Sequence, residues 1–287
     1  MIGFIGSGRV AGSFGKYLAK HGIVISGFYD IIPEKAATAA NLCSSRVYHT
    51  AEQLLRECPV VFISTNDDQI GPVARQIAGI IHCSETVIGH FSGVHNSKLL
   101  ADILPENYIC FSLHPLQSFS GSAADDANLT KTFLTLEGEG KALDVVRRIT
   151  DRLPNNVLSI EPQHKILYHA AGVIASNYIT TVIAESMAYL KVIGIESEQA
   201  GEMLEPLVRG TVHNAFSMGP ETALTGPIAR GDYATIAAHL DTLNQTNQQK
   251  ENLYRELGLA TLHLASKSLL TDKEKIKNIE NLLKAIW

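Results

Sequence analysis

Short apolar runs and helix-spaced apolar positions alternate along the first part of the chain. The runs at 2–5, 23–29, 46–49, 59–64, 86–91, 108–113, 132–136 and 157–160 predict strands. Between them, apolar residues three and four apart predict helices at 9–20, 34–42, 51–57, 69–80, 96–103 and 141–153. The 9–20 segment puts Val10, Phe14, Tyr17 and Leu18 on one face, and His21-Gly22 closes it. Pro33 suits the opening of the next helix, and Thr50-Ala-Glu-Gln53 resembles a capping box. Residues 117–130 are polar and predict a loop. Strands and helices in alternation imply a parallel sheet covered on both faces.

From Glu161-Pro162 onward the strand pattern stops. Helices are expected at 163–193, 197–217, 231–242, 246–265 and 273–285, punctuated by Gly194, Gly219-Pro220, Gly226-Pro227 and Gly231. The expected organisation is an α/β, doubly wound Rossmann-type sheet over residues 1–161, then an all-α C-terminal domain over 162–287.

Composition narrows the function classes. The 287 residues are 45% hydrophobic, enough for two cores, and the net charge of −5 argues against nucleic acid as a partner. Cys43, Cys58, Cys83 and Cys110 form no C-x-x-C pair and no metal-like spacing with histidine, so they read as reduced, mostly buried thiols, with no metal site. The start shows no basic region leading into an apolar leader, and no stretch of about 18 uninterrupted apolar residues appears. A cytoplasmic protein with no membrane partner is the expectation.

Candidate chemistry begins at the first turn. A strand runs into Gly6-Ser7-Gly8-Arg9-Val10-Ala11, and a helix follows at once. Gly6 allows a tight turn, Gly8 admits a diphosphate close to the backbone, and Ala11 lets the helix pack on the strand. The helix N-terminus attracts an anion. Asp30 ends the second strand, where a dinucleotide fold places a carboxylate on the adenine ribose. Such a carboxylate repels a 2′-phosphate and so favours NAD over NADP, although Arg9 could serve a phosphate. Ser64, Thr65 and Asn66 follow the fourth strand, and Ser92-Gly93 and His114-Pro115 end later ones; all face the carboxyl edge of the sheet, where ligands lie. The helix from 163 carries Lys165, His169, Gly172 and Ser176 on a rough stripe, with Asn177 beside it. Polar groups on an apolar helix need partners. His114 and His169 are candidates for moving a proton, and Asn177 for positioning a substrate. Arg230, beside the helix-capping Asp232, could hold a carboxylate or phosphate. Each has a structural alternative: capped turns at 64–68, a backbone-bonded His114, a buried interface network around His169, and a local Arg230–Asp232 pair.

Taken together, Gly6–Gly12, Ile88–Gly93, Ser112–Phe119, Tyr168–Gly172, Ala175–Tyr178, Leu224–Asp232 and His239-Leu240 resemble a group of bacterial Rossmann-like proteins. Their helical C-terminal domain has no assigned function, and they are grouped with NAD(P)-dependent oxidoreductases. More remotely the layout is similar to pyrroline-5-carboxylate reductase, ketopantoate reductase, prephenate dehydrogenase and the 3-hydroxyacid dehydrogenases. In the last group a Lys-x-x-x-Asn pair on the first helix after the boundary does the chemistry. Here Val173 stands four residues before Asn177, so that role does not carry over. The resemblance implies an oxidoreductase of unassigned substrate and a homodimer formed through the helical domain.

The combined expectation is an NAD(P)-dependent oxidoreductase acting on a small, polar, anionic substrate in a cleft between the domains. Two alternatives stand beside it: an NAD(P) sensor without turnover, and a deazaflavin-dependent NADP reductase.

Overall fold

The computed structural model describes residues 1–80, 85–121, 124–246 and 248–285; Cys83 lies outside them. The chain divides into two compact units, Met1–Tyr178 and Ile179–Trp287.

The first unit is built from β1 (Ile2–Ile5), α1 (Arg9–Lys20), β2 (Ile25–Tyr29), α2 (Pro33–Leu42), β3 (Arg46–Val47), α3 (Ala51–Glu57), β4 (Val60–Ile63) and α4 (Asp67–Ala78). There follow β5 (Thr86–His90), α5 (Lys98–Ala101), β6 (Tyr108–Pro115), α6 (Ala124–Leu129), β7 (Leu134–Gly138), α7 (Gly140–Thr150), β8 (Val157–Ser159) and α8 (Lys165–Val173). The strands form one 8-stranded sheet in the order β3-β2-β1-β4-β5-β6-β7-β8. The order reverses between β1 and β4, which is where an open α/β sheet leaves its crevice.

Period-two alternation sorts the strand side chains onto two faces. Phe4, Phe28, Phe62 and Phe111 pack with Phe14, Leu18 and Val146 on one face. Ile5, Val61, Ile63 and Ile88 pack with Leu54, Ile70 and Ala74 on the other. Phe4 stacks on Phe28 at 4.9 Å and Phe62 on Phe91 at 4.6 Å. Each such side chain withdrawn from water is worth about 1.5–3 kcal/mol.

Two sequence expectations need correction. The sheet is not wholly parallel, because β7 runs antiparallel to β6. His114-Pro115 ends β6 as expected, with His114 paired to Thr135 in the last rungs of the ladder. Proline closes β6 at residue 115 without loss, since its missing N–H falls at the strand end. Finally, the polar stretch 117–130 contains the short helix α6. Asp125 there accepts from the amides of Ser120 and Gly121 and from Ser13 on α1, so local polar bonds replace an apolar face.

In the second unit come α9 (Ile179–Val192), α10 (Ser197–Met218), α11 (Pro220–Ala223), α12 (Pro227–Arg230), α13 (Tyr233–Thr246), α14 (Gln248–Ala265) and α15 (Lys273–Lys284). Its core joins Ile228, Ile236, Leu240, Leu262 and Ile279. The buried Arg255 pairs with Glu251 and donates to the carbonyls of Leu282 and Leu283 at the end of α15. Along α10, Met203, Leu207 and Phe216 stand exposed, Phe216 at 89%.

The segment Pro162–Val192 is helical throughout, with a π-helical turn at Ile174–Tyr178 between α8 and α9. It is long and apolar enough to cross a membrane by length and composition, and its most apolar window is 0% buried. Polar residues such as Ser176, Asn177 and Glu185 interrupt its apolar run.

Candidate functional site

The first turn separates two kinds of glycine. Gly6 has φ +95°, and a Cβ there would lie 2.8 Å from the Ser64 carbonyl, so the fold itself requires glycine. Gly8 has φ −72° and open space where a Cβ would stand. Nothing in the fold demands glycine at residue 8, and the open space leaves room for a ligand to approach the backbone. Gly8 is also the N-cap of α1, and no side chain caps that terminus, leaving its first-turn amides to an anion. The hydroxyls of Ser7 and Ser64 are buried without a hydrogen-bond partner, and such groups cost free energy unless something satisfies them. The residues therefore fit a dinucleotide diphosphate.

Asp30 closes β2 beside this turn. Its carboxylate accepts from the Ser7 amide at 2.7 Å and the Ile32 amide at 2.9 Å, and its remaining lone pairs suit ribose hydroxyls. A cavity of about 200 Å³ next to it is lined by Gly6, Asp30, Ile31, Thr65, Gln69 and Val73. Asn66 precedes α4 without a side-chain cap bond. Arg9 extends along Gly121, its Cδ 3.3 Å from where a Cβ of that residue would stand.

A second constellation sits at the carboxyl end of β5 and along β6 and β7. His90, Ser112 and Glu137 lie side by side in register. His90 is wholly buried, and burial, with the nearby Lys165 cation, pushes its pKa down to about 3. Its Nδ1 accepts from the Ser92 amide, so the neutral ring donates through Nε2 to the Asn96 carbonyl. The Ser92 hydroxyl accepts from the amides of Val94 and His95, which tightens the turn around Gly93. Glu137 accepts from the amide and hydroxyl of Ser97.

Two imidazoles converge on that turn. A Cβ on Gly93 would lie 3.0 Å from His114 Nε2 and closer still to His169 Nδ1. Thr135 donates to the Tyr168 hydroxyl at 2.6 Å, and that hydroxyl stands 2.8 Å from His114 Nδ1. Tyr168 thus donates to Nδ1, and His114 carries its proton on Nε2, toward Gly93. Burial and the Lys165 charge hold His114 down to about 4, so it is neutral at physiological pH. The Lys165 ammonium is itself buried, donating to the Ser92 carbonyl at 2.9 Å and to the Ser112 hydroxyl. A cavity of about 490 Å³ opens here, lined by His114, Gln117, Tyr168, His169, Ser176 and Asn177 among others. The π-helical turn carries Ser176 and Asn177 to its wall.

The structure thus groups the predicted residues in two places within the first unit. Gly6, Ser7, Gly8, Arg9, Val10 and Asp30 gather at the first turn, with Ser64, Thr65 and Asn66 on the neighbouring loop. Ser92 and Gly93 accompany His114 and His169, and Asn177 lines the same cavity. Arg230 belongs to the second unit, exposed at the end of α12, where its charge helps hold Asp232 below the usual carboxylate range after the Thr235 hydrogen bonds. Tyr168 falls in a stretch that carries the resemblance, whereas Thr135 and Glu137 have no such signal: the antiparallel β7 brings them to the site, and a strand's direction is not visible in local spacing.

Comparison with known proteins bears on the fold and on two stretches of the chain. Residues 1–88 match the family described as NADP oxidoreductase coenzyme F420-dependent, and residues 132–261 match a domain of unknown function, DUF2520. Pyrroline-5-carboxylate reductase 3 of Macaca fascicularis is 27% identical over 111 residues, 37% of this chain. The match spans only 39% of that relative's length. Among solved structures, a candidate NADP oxidoreductase of Bacteroides fragilis superposes with a TM-score of 0.76 at 21% identity, covering 91% of this chain and 97% of that one. A protein of Thermotoga maritima does so with a TM-score of 0.75 at 23% identity, covering 93% and 100%. The chain thus has a Rossmann-type fold; its residues 1–88 resemble the coenzyme F420-dependent NADP oxidoreductase family and its residues 132–261 resemble DUF2520.

Proposed function

We propose that this protein transfers a hydride between a nicotinamide dinucleotide and a small polar substrate bound at the His114–His169 cavity. The observation that carries the reading is Gly8, a glycine in an ordinary backbone conformation with open space around it, at an uncapped helix N-terminus. Ser7, Gly8, Arg9 and Val10 would hold the diphosphate, Asp30 the adenine ribose, and Ser64, Thr65 and Asn66 the border of the crevice. When bound, the nicotinamide supplies or accepts the hydride. Ser92 and Gly93 form the turn on which the reacting end is received.

The chain's own contribution is proton handling and alignment. His114 presents Nε2–H to the Gly93 turn, with Tyr168 and Thr135 fixing its tautomer. Neutral His114 donates a hydrogen bond to a developing negative charge, while His169 is placed to pass the proton. Asn177 orients the substrate from the cavity wall. Arg230 is the candidate for an anionic group on it. Residues 1–161 serve the dinucleotide, and residues 162–287 serve the substrate and a second copy of this chain. Exposed apolar residues of the second unit, among them Met203 and Leu207 on one side of α10, are the surface that copy covers.

Asp30 is the reason to test NAD first, while the family description of residues 1–88 names NADP. That description also favours a deazaflavin as hydride partner, a second reading that spectroscopic titration with that cofactor decides. Native mass spectrometry of the purified protein tests the whole proposal. It should reveal co-purified nucleotide and a dimeric mass; a protein that neither carries nor subsequently binds NAD(H) or NADP(H) refutes it.

A further inference from the structure

We propose that Lys165 is a positioning residue that clamps the Ser92–Gly93 turn against the two imidazoles, setting the gap in which the proton is handled. This rests on the reading of His114 and His169 as the proton-handling pair. Lysine is rarely buried without a strong reason, and Lys165 is only 2% exposed. Its ammonium reaches across from α8 to the sheet and binds the Ser92 carbonyl at 2.9 Å and the Ser112 hydroxyl. Ser112 also donates to the same Ser92 carbonyl at 3.4 Å, closing a three-membered polar ring. That carbonyl immediately precedes Gly93, whose α-carbon faces His114 and His169. Lys165 and His169 stand one helical turn apart on α8, so one helix holds both the clamp and one of the clamped rings.

No carboxylate forms a direct ion pair with Lys165 among the described residues. Glu137 of β7 and Asp67 of α4 act on it only at a distance, and desolvation brings its pKa down to about 8. The groups facing His114 are Tyr168, His169 and Lys165 from α8, Thr135 from β7, and His90 from β5, with His95 beyond it. Lys165 is the strongest charge among them, and its loss should be felt at His114 directly.

The test uses the full-length protein with ring-labelled histidine, the His114 signal being assigned with His114→Gln. In wild type, His114 should titrate well below ordinary histidine, and contacts from Gly93 Hα to both imidazoles should be seen. In Lys165→Met the His114 midpoint should rise by on the order of one pH unit and the Gly93 contacts should weaken. A merely structural lysine would lower Tm while leaving the midpoint within ~0.2 units and the contacts intact, and that result overturns the proposal. If Lys165→Met does not fold, Ser112→Ala decides, since it removes one acceptor of the clamp and keeps the charge. Weakened Gly93–imidazole contacts there support the clamp; unchanged contacts overturn it. Dinucleotide titration of the same wild-type sample keeps the two claims apart. No binding there defeats the proposed function, while the His114 data still judge Lys165.

Discussion

Tyr168 holds His114 by the Nδ1 atom, its hydroxyl 2.8 Å away, and takes a hydrogen bond from Thr135 in return. The chain of donors runs one way, from Thr135 through Tyr168 to the ring, and leaves Nε2–H as the end that meets the cavity. Tyr168→Phe breaks it and strands His114 Nδ1. Stability should fall by about 1 kcal/mol, read as a lower urea midpoint at unchanged slope. Nitrogen spectra should show His114 passing from one tautomer to a mixture of two; a single unchanged tautomer contradicts the assignment.

Gly93→Ala places a methyl group in the gap between the imidazoles, 3.0 Å from His114 Nε2. The φ at Gly93 lies outside the left-handed region, so alanine suits the backbone, but the methyl comes closer still to His169 Nδ1 and must push the imidazoles aside. Turnover of the co-purified metabolite should fall by at least ~100-fold, because a displacement of about 1 Å at the reacting centre costs that much. Activity near wild type shows that the reaction does not use this gap.

Acid stability follows from the buried neutral histidines. His90 is driven down to about 3 and His114 to about 4, so the unfolded chain binds more protons than the folded one from ordinary histidine pH downward. Their contribution is fully present above about pH 6.5, the ordinary histidine value, and is lost as pH falls through the folded values. Tm should therefore drop as pH is lowered from about 6.5 toward 4, and His90→Gln should flatten that slope. An equal slope in the variant shows that other groups set the acid limit.

The exposed face of α10 gives a prediction about assembly. Met203 and Leu207 stand one turn apart on one side of α10, 51% and 64% exposed, so replacing both with glutamate removes little packing within the chain. The double variant should keep its helical circular dichroism and shift to the monomer mass in native mass spectrometry. A mass unchanged from wild type refutes this surface as the dimer face.

Much of the fold is legible because its signals are local. The Gly6-x-Gly8-x-x-Ala11 turn, the helix from Arg9 to Lys20 and the Thr50 cap, which accepts from the Gln53 amide, need only neighbours in sequence. The pairing of His114 with Thr135 does not, because strand direction is decided by non-local contacts. Lys165 was visible as a polar member of a helical stripe, but lysine ordinarily signals exposure, and only the sheet above it makes it buried. The exposed apolar helices are the converse case: apolar periodicity reports a buried face without saying which molecule buries it.

The central claim is that the first turn holds a dinucleotide, and isothermal titration of NADH and NADPH into wild type and Gly8→Val tests it most directly. Gly8 has φ −72° and an open Cβ position, so the variant should fold, losing only about 1 kcal/mol to a poorer N-cap residue. The account predicts that wild type binds at least one of the two nucleotides and that Gly8→Val loses ~100-fold or more in affinity, since the added methyl groups occupy the approach of the diphosphate. Equal affinity in both proteins, or no binding by wild type, contradicts it.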